Sequence, residues 1–535
     1  MLFNSLEFIL VFLPVTLTGF FLLGTRGHQR AATGWVVLVS LIFYGYWDPG
    51  EHLLSDPWRW WPLTLICVST IFNFLVGQRL LAHPSRLLLG LGVAVNIATI
   101  GYFKYTRFFA DEIAAALGLD LDVGQIVLPL GISFFIFQKI AYLVDAYRGE
   151  IRAGGFLSFA LFVAFFPQLI AGPIVHHSEV IPQFGHKSTY RPNLDNISLG
   201  ISIFVLGLAK KTVLADSIAI YATPVFQAAQ AGADPTLFEA WGGALAYTFQ
   251  LYFDFAGYSD MAIGLALMFN IRLPINFNSP YKATSVIDFW RRWHITLSRF
   301  LRDYLYIPLG GNRQGVSRRY RNLLLTMLLG GLWHGAGWTF IVWGGLHGGY
   351  LVINHLWHEL RRRLGHDLSR STWLGRVIGR TITFLAVVVA WVFFRADDFD
   401  AASRILAGMI GLNGVQLPAS YYGLFGPLAP TLESLGWVFR DADGFHFGGM
   451  NQMVLLTALG AIAFLMPNSH EWTGYLAPNR DISRAAEPTL IERIVALIPL
   501  WRPTLAYGSL IGAMLCYCLL AAFAETPSEF LYFQF

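Results

Sequence analysis

Apolar segments separated by short polar stretches recur along the whole chain. Segments with about 17 or more apolar residues can cross the hydrocarbon core of a bilayer as helices, whereas shorter ones are typical of tilted, re-entrant or buried helices. The pattern predicts an all-α polytopic membrane protein with about twelve crossings. The apolar segments are residues 5–23, 34–47, 61–78, 87–103, 126–144, 156–175, 197–209, 236–252, 261–275, 323–333, 338–353, 376–394, 452–466 and 505–524.

The composition supports a membrane protein. Of the 535 residues, 55% are hydrophobic, 16% are aromatic and 13% are charged. This charged fraction is about half that of an ordinary soluble domain. We therefore expect membrane lipid around the protein and no nucleic-acid partner. Cys67, Cys516 and Cys518 lie inside apolar segments, which indicates buried thiols rather than a disulfide framework or a metal site.

Basic residues predict the orientation in the membrane. Arg26 and Arg30 follow the first apolar segment, which has no basic start and no small-residue cleavage motif. By the positive-inside rule, residues 24–32 are cytoplasmic, the first segment is an uncleaved span and the N-terminus is outside. The loop before the last segment is also basic, so the C-terminal tip is predicted outside. Its arginines are Arg480, Arg484, Arg493 and Arg502.

Two domains are expected. Residues 1–504 are interpreted as one membrane domain, and residues 505–535 as a final transmembrane helix with an aromatic tail. The least hydrophobic long stretch, residues 397–451, predicts a loop or a small cap outside the helix bundle.

A basic segment at residues 282–321 interrupts the apolar pattern. We predict an amphipathic helix over about 285–306 at the cytoplasmic boundary, with Trp290 and Trp293 at the membrane interface. One interpretation is an anchor for lipid headgroups. The other is a cradle for an anionic donor, in which "PLGGNR" offers backbone amides and an arginine. The donor-binding candidates are Lys282, Arg291, Arg292, Arg302, Asn312 and Arg313.

A histidine in "MLLGGLWHGAGW" is the first catalytic candidate. His334 lies in an apolar setting among glycines, where a ligand could approach the imidazole closely. A structural histidine that bonds between helices is the alternative. His294 and His347 raise the same question, but their spacings match no known pattern of metal ligands, so no metal site is expected.

Two aspartates stand in the apolar stretch "QLYFDFAGYSDMAIG". Asp254 and Asp260 are six residues apart and do not share a helical face, so an acid–base carboxylate pair is not expected. We predict that each carboxylate accepts hydrogen bonds from hydroxyls or pairs with an arginine. Together with Tyr258 and Trp333 they are candidates for lining a substrate path.

Several long motifs carry a resemblance to a known family. They are "LPLGISFFIFQKIAYLVDAYRG", "FFPQLIAGPI", "YFDFAGYSDMAIGLALMFN", "NFNSPYKATSVIDFWRRWHITLSRFLRDYLYIPLGGNR", "LLLTMLLGGLWHGAGW" and "WVFFRA". Together they resemble the membrane-bound O-acyltransferase family, in its subgroup of bacterial polysaccharide O-acetylases. The resemblance implies a ring of transmembrane helices around a thin centre, with funnels that meet in a tunnel. It places the family's catalytic histidine at His334 and its second histidine at His294. The sequence departs from the family at His176, where relatives commonly carry an arginine.

The resemblance also implies a function. Relatives in this subgroup accept an acyl group from a cytoplasmic thioester, here acetyl-CoA, and no bound cofactor is expected. They pass the group across the bacterial inner membrane for O-acetylation of a secreted polysaccharide such as alginate or cellulose, with a periplasmic hydrolase-like partner. A D-alanyl transferase for teichoic acid, which would need a carrier protein as donor, and a transporter or flippase remain the alternatives.

The tail "EFLYFQF" bears on the same chemistry. In relatives the closing aromatic hexapeptide is proposed to present its tyrosine as an acyl relay, which assigns that role to Tyr532. A phenol, with an ordinary pKa of about 10, loses its proton far more easily than an alkyl alcohol and is a good leaving group from an ester. A membrane-interface anchor and a protease-site remnant are the alternatives. The relay mechanism requires His334 to be reachable from both faces of the membrane.

Overall fold

The computed structural model describes residues 1–46, 60–119, 123–124, 126–368, 372–441, 444–476, 499–524 and 530–531. Helices form most of the described chain, which confirms the predicted fold class. The first twelve α-helices are α1 (Leu13–Thr25), α2 (Gln29–Gly45), α3 (Trp61–Ala82), α4 (Arg86–Ile100), α5 (Thr106–Leu117), α6 (Ile132–Arg148), α7 (Phe156–Ala164), α8 (Phe166–Leu169), α9 (His177–Phe184), α10 (Leu194–Ala209), α11 (Asp216–Gln230) and α12 (Leu237–Met268).

The second half adds further helices and two short strands. The helices are α13 (Val286–Trp290), α14 (Ile295–Leu301), α15 (Val316–His334), α16 (Trp338–Arg363), α17 (Trp373–Arg395), α18 (Phe399–Met409), α19 (Ser420–Phe425), α20 (Ala429–Ser434), α21 (Gly449–Leu465), α22 (Ser469–Trp472) and α23 (Leu505–Ala524). The strands are β1 (Val415–Leu417) and β2 (Trp437–Phe439).

Four wide turns of π-helix interrupt or extend these helices. In a π-helix each N–H bonds the carbonyl five residues earlier, and such turns occur mostly as single bulges, often at functional sites. They span Phe8–Phe12, Gly101–Tyr105, Lys210–Ala215 and Arg302–Tyr306 in the described chain.

Six helical segments of the described chain are long and apolar enough to cross a membrane. This confirms the multi-pass prediction, whereas the number of crossings, the inner-membrane location and the orientation of the termini stay predictions. The segments are Phe8–Thr25, Trp61–Ala82, Arg86–Ala114, Leu194–Gln230, Trp373–Arg395 and Leu505–Phe523.

Helix α12 is the central element of the bundle. It runs for 32 residues and is buried along nearly its whole length. Helix α10 packs so closely against it that a Cβ atom at Gly207 would lie 2.5 Å from the carbonyl oxygen of Gly257. A Cβ atom at Gly264 would likewise lie 2.5 Å from the carbonyl oxygen of Gly200. Glycine at these positions therefore lets the two backbones touch, as small residues do between membrane helices.

The predicted helix over 285–306 is wrong. Helix α13 ends at Trp290, and α14 begins only at Ile295. Between them the chain pairs with an earlier segment, since the Ile295 N–H donates to the Asn276 carbonyl at 2.9 Å and the Asn278 N–H donates to the Arg292 carbonyl at 2.9 Å. This backbone pairing competes with the helix and interrupts it.

The tryptophans of this segment face inward. Trp290 and Trp293 are both buried in the bundle, so their predicted place at the membrane interface is wrong. Their rings pack on other aromatic side chains there, with Trp293 4.9 Å from Trp391 between ring centroids.

The stretch 397–451, interpreted from the sequence as a loop or small cap, is folded in its described residues. It contains α18, α19, α20 and the parallel strand pair β1–β2. It docks on the start of α12, where the Leu237 N–H donates to the Gly414 carbonyl at 3.1 Å. The three cysteines are free thiols, but only Cys518 is buried as predicted, since Cys67 is half-buried and Cys516 is exposed.

The glycine contacts between α10 and α12 generate the first prediction. Gly207→Ala or Gly264→Ala should lower the free energy of unfolding by about 1–3 kcal/mol. The added methyl group would collide with backbone atoms, which cannot move aside by changing rotamer as a side chain can. The measurement is thermal unfolding of the purified protein in detergent. Gly349→Ala on α16 is the matched control, since a Cβ atom there meets no atom within 4 Å. The control should be neutral or slightly stabilising. Equal melting temperatures for all three variants would contradict the role of the close contact.

Candidate active site

His334 is the last residue of α15, and its side chain is 5% exposed. The helix ends there because the backbone of Gly335 is extended. The imidazole packs edge-to-face on Trp343, with ring centroids 4.9 Å apart, and on Phe394 at 5.2 Å. Phe394 belongs to the "WVFFRA" motif. These aromatic walls give the histidine an apolar, water-poor environment.

His294 lies beside His334, with 6.5 Å between the ring centroids. It is fully buried and adopts a left-handed backbone conformation with φ of +42°. Residues other than glycine rarely hold this conformation, which costs about 1–3 kcal/mol and is common at functional sites. The break between α13 and α14 therefore brings this imidazole to the site, and the strained backbone at His294 is the energetic cost.

A buried amide fixes the orientation of His294. Its Nδ1 lies 3.0 Å from the side-chain oxygen of Asn276, which also accepts from the Thr296 hydroxyl at 3.0 Å. The amide nitrogen of Asn276 donates to Ser259, which orients the amide group. Because the Asn276 oxygen can only accept, Nδ1 of His294 carries the proton and Nε2 is the acceptor nitrogen of the neutral ring.

His347 belongs to the same aromatic cluster. The Trp290 indole N–H donates to its Nδ1 at 3.3 Å. Its ring lies 4.9 Å from Trp343, the tryptophan that also packs on His334. Trp343 therefore packs on both histidines. Across the described residues, no group of three histidine, cysteine, aspartate or glutamate side chains is arranged to hold a metal ion.

Helix α12 connects the histidines to the C-terminal tail. Phe255 packs edge-on to His294 at 4.8 Å between ring centroids. The neighbouring Asp254 forms a buried ion pair with Lys211, whose Nζ lies 2.8 Å from Oδ1. The other carboxylate oxygen of Asp254 accepts from the Leu531 N–H at 3.0 Å. One turn of α12 therefore contacts both a histidine of the site and the tail.

The described part of the tail is inserted into the protein. Phe530 is 1% exposed and meets Tyr258 edge-to-face, with ring centroids 4.4 Å apart. The Lys211 ammonium lies 5.1 Å from the centre of the Phe530 ring. Asp254 and Tyr258, predicted to line a substrate path, thus hold the tail. Tyr532 itself lies outside the described residues.

Asp260 belongs to a separate cluster. Its carboxylate bonds Lys210 at 2.6 Å, His470 Nε2 at 3.0 Å and the hydroxyl of Ser469. The predicted hydroxyl donor is confirmed for Asp260, where it is Ser469, whereas the predicted arginine as ion-pair partner is wrong for both aspartates. The partners are lysines at adjacent positions, 210 and 211, in the π-helical turn Lys210–Ala215. The consecutive lysines "KK" directly after an apolar segment were the signal in the sequence that could have identified these partners.

Trp333 packs inside the bundle next to His334. Its ring stacks on Phe137, with centroids 5.0 Å apart. Its backbone carbonyl accepts a hydrogen bond from Lys104 at 2.6 Å. Lys104 directly follows the apolar segment 87–103, which sequence reasoning treated only as a membrane span, so this contact was missed.

The six donor-binding candidates occupy different environments. Lys282 donates to the Met466 carbonyl at 2.6 Å, and Arg292 pairs with Asp288 at 2.9 Å. Arg302 forms two hydrogen bonds with Asp303, of 2.7 and 3.0 Å. The remaining three are exposed at the protein surface, which suits the capture of an anion from water. They are Arg291, Asn312 and Arg313.

His176, where the sequence departs from the family pattern, joins a small polar network. Its Nδ1 lies 2.8 Å from the Tyr304 hydroxyl, which donates to Asp145 at 2.7 Å. Burial and the Asp145 carboxylate raise the pKa of the Tyr304 phenol above its ordinary value. Tyr304 therefore stays protonated and keeps donating to Asp145. The histidine thus serves an internal contact of the protein.

Comparisons with known proteins agree with the resemblance. The model of the MBOAT, membrane-bound O-acyltransferase family matches residues 118–394. The chain is 45% identical over 448 residues to the peptidoglycan O-acetyltransferase of Helicobacter pylori, covering 78% of this chain and 81% of that protein. It is 38% identical to the probable alginate O-acetylase AlgI of Pseudomonas aeruginosa over 100% of both chains. It is 29% identical over 286 residues to the teichoic acid D-alanyltransferase of Streptococcus thermophilus, covering 50% of this chain and 68% of that protein.

The matched range contains both histidines of the site and the Phe394 ring that packs on His334. With this range and these identities, the chain belongs to the membrane-bound O-acyltransferase family and is an acyltransferase.

Proposed function

We propose that the protein takes an acetyl group from acetyl-CoA on the cytoplasmic side and carries it across the inner membrane to a cell-envelope glycan. The names of two relatives support acetyl as the group, since one is a peptidoglycan O-acetyltransferase and the other a probable alginate O-acetylase. Because these names differ in the glycan, the acceptor class is a secreted or wall polysaccharide, with alginate, cellulose and peptidoglycan as members.

The observation that carries the proposal is the position of the tail. Leu531 is bonded to Asp254, and the next residue of α12, Phe255, packs on His294. The following residue of the tail is Tyr532, a phenol. Leu531, the residue bonded to Tyr532 in sequence, is thus anchored at the turn of α12 that contacts His294, which supports Tyr532 as the relay. This favours the relay over a membrane-interface anchor, because Phe530 is buried in protein rather than exposed to lipid.

The first half-reaction transfers acetyl to the tail. His334 takes the proton of the Tyr532 hydroxyl, and the phenolate oxygen attacks the thioester carbonyl. The C–S bond breaks, the proton passes from His334 to the departing thiolate, and acetyl-tyrosine and free coenzyme A are formed. The neutral, oriented ring of His294 accepts a hydrogen bond through Nε2 and positions the donor or His334.

The second half-reaction regenerates the tyrosine. A hydroxyl group on the outer side attacks the acetyl ester, the phenolate leaves, and the proton of the attacking hydroxyl returns to it. The attacking group belongs to a periplasmic hydrolase-like partner, which passes acetyl to the glycan. The phenol ester keeps the transfer potential of the acetyl group, because a phenolate is a better leaving group than an alkoxide.

A D-alanyl transferase is the second candidate. The teichoic acid D-alanyltransferase relative covers only half of this chain at lower identity, and a carrier-bound aminoacyl group would be its donor. A pure transporter is excluded, because the chain belongs to a family of acyltransferases. Release of free thiol from acetyl-CoA by the purified enzyme favours the first candidate. Activity with a charged carrier protein alone would favour the second.

The role of His334 is tested by His334→Ala. Loss of the general base should lower the rate of thiol release from acetyl-CoA by about 10²–10⁴-fold while the variant remains folded, because base catalysis is worth that much. The assay follows free thiol with a chromogenic disulfide reagent. His186→Ala is the control, since His186 is exposed at the surface. Full activity of His334→Ala would refute the mechanism.

Tyr532→Phe tests the relay. Phenylalanine keeps an aromatic ring but removes the nucleophile, so the variant should carry no acetyl group on the C-terminal peptide after incubation with acetyl-CoA. Mass spectrometry of the digested protein is the measurement. The matched control is Tyr517→Phe on α23, which is exposed at the helix surface. Polymer acetylation at the wild-type rate in Tyr532→Phe would reduce the tail to an anchor.

The exposed arginines of the donor segment test the site of coenzyme A. Arg291→Ala combined with Arg313→Ala should raise the KM for acetyl-CoA by about tenfold and leave kcat unchanged, because charge contacts with phosphates act on binding alone. Arg363→Ala is the control, since this exposed arginine pairs with Glu359 outside the segment. An unchanged KM would leave the segment as a lipid-headgroup anchor.

A further inference from the structure

The end of α15 presents several backbone carbonyls inside the bundle. The last four carbonyls of any α-helix lack partners within the helix, and at membrane depth no water replaces them. Here the carbonyl of Gly331 accepts from the Gly335 N–H at 3.4 Å. The next three carbonyls, which end with that of His334, need donors from elsewhere.

Two adjacent side chains supply those donors. The Lys104 ammonium donates to the carbonyls of Trp333 at 2.6 Å and His334 at 2.8 Å. The Tyr105 hydroxyl donates to the carbonyl of Leu332 at 2.5 Å. Three consecutive carbonyls, up to and including that of the catalytic residue, are thus bonded by two neighbouring residues.

The π-helical turn Gly101–Tyr105 makes this arrangement possible. It joins α4 to α5 and contains both donors. Lys104 and Tyr105 are consecutive, so in a regular helix their side chains would point about 100° apart. In this turn both side chains nevertheless reach the same end of α15. The ammonium also complements the negative end of the α15 dipole.

We propose that Lys104 and Tyr105 are positioning residues that hold the His334 imidazole in its reactive orientation. The terminal residue of a helix frays readily, and His334, the last residue of α15, is followed directly by Gly335. Bonds to its own carbonyl and the two before it fix the backbone from which the imidazole reaches Trp343 and Phe394. The inference rests on the proposed role of His334 as general base.

A positioning role and a simple structural role predict different kinetics. If the pair only held α15 to the α4–α5 region, its loss would lower the melting temperature and leave the kcat of the remaining folded enzyme intact. If the pair orients the base, kcat falls while the KM for acetyl-CoA stays the same, because binding of the donor does not involve this contact.

The experiment compares Lys104→Met with Lys139→Met in the purified full-length protein. Lys139 is the control, because it is a buried lysine whose ammonium also donates inside the bundle, to Ser69 at 2.6 Å, and lies over the Phe135 ring. The kcat and KM of thiol release from acetyl-CoA are measured with the melting temperature. Lys104→Met should lower kcat at least tenfold with KM within twofold of wild type, since a shift of about 1 Å can cost up to 10²-fold. Lys139→Met should keep kcat within twofold.

A folded Lys104→Met with wild-type kcat would overturn the inference, as would an equal loss of kcat in Lys139→Met. If Lys104→Met does not fold, Tyr105→Phe tests the same contact with minimal loss of volume. It should lower kcat about threefold or more, in keeping with one lost buried hydrogen bond, and an unchanged kcat would overturn the inference. His334→Ala separates the two proposals. An inactive His334→Ala beside a fully active Lys104→Met defeats only the positioning role, whereas an active His334→Ala defeats the proposed function.

Discussion

A charge inside an apolar bundle must find its partner within the protein, because neither lipid nor bulk water is there to solvate it. Three lysines inside the bundle show this constraint, and two of them meet it beside the candidate site. Lys211 pairs with Asp254 beside the tail, Lys210 pairs with Asp260, and Lys104 bonds the carbonyls at the end of α15. The contacts of Lys211 and Lys104 therefore lie at the tail and at the helix end that carries His334.

Helix α12 brings the tail contact and a histidine contact together on one turn. Asp254 and Phe255 are consecutive, yet one bonds the tail and the other packs on His294. The helix is kept in place by backbone contact with α10 at glycine positions, where any larger residue would push the two helices apart. Rigid support of this kind suits transfer chemistry, which depends on sub-ångström placement of the reacting groups.

Local features of the sequence predicted part of this structure. The apolar segments gave the membrane class, and the motif around His334 gave the residue at the centre of the site. The pairing of Lys211 with Asp254 was not predictable, because 43 positions separate the two residues and no local pattern encodes a contact between helices. The helix break at His294 was missed for the same reason, since it depends on backbone pairing with Asn276. Tyr532 stays a prediction.

The wide helical turns have an evolutionary consequence. A π-helical turn differs from an ordinary one by a single extra residue, so one codon gained or lost can create or abolish it. Removing one residue from Gly101–Tyr105 would rotate the flanking helix by about 100° and turn Lys104 or Tyr105 away from α15. Insertions and deletions, rather than substitutions, are thus the sequence changes to which this region is most sensitive.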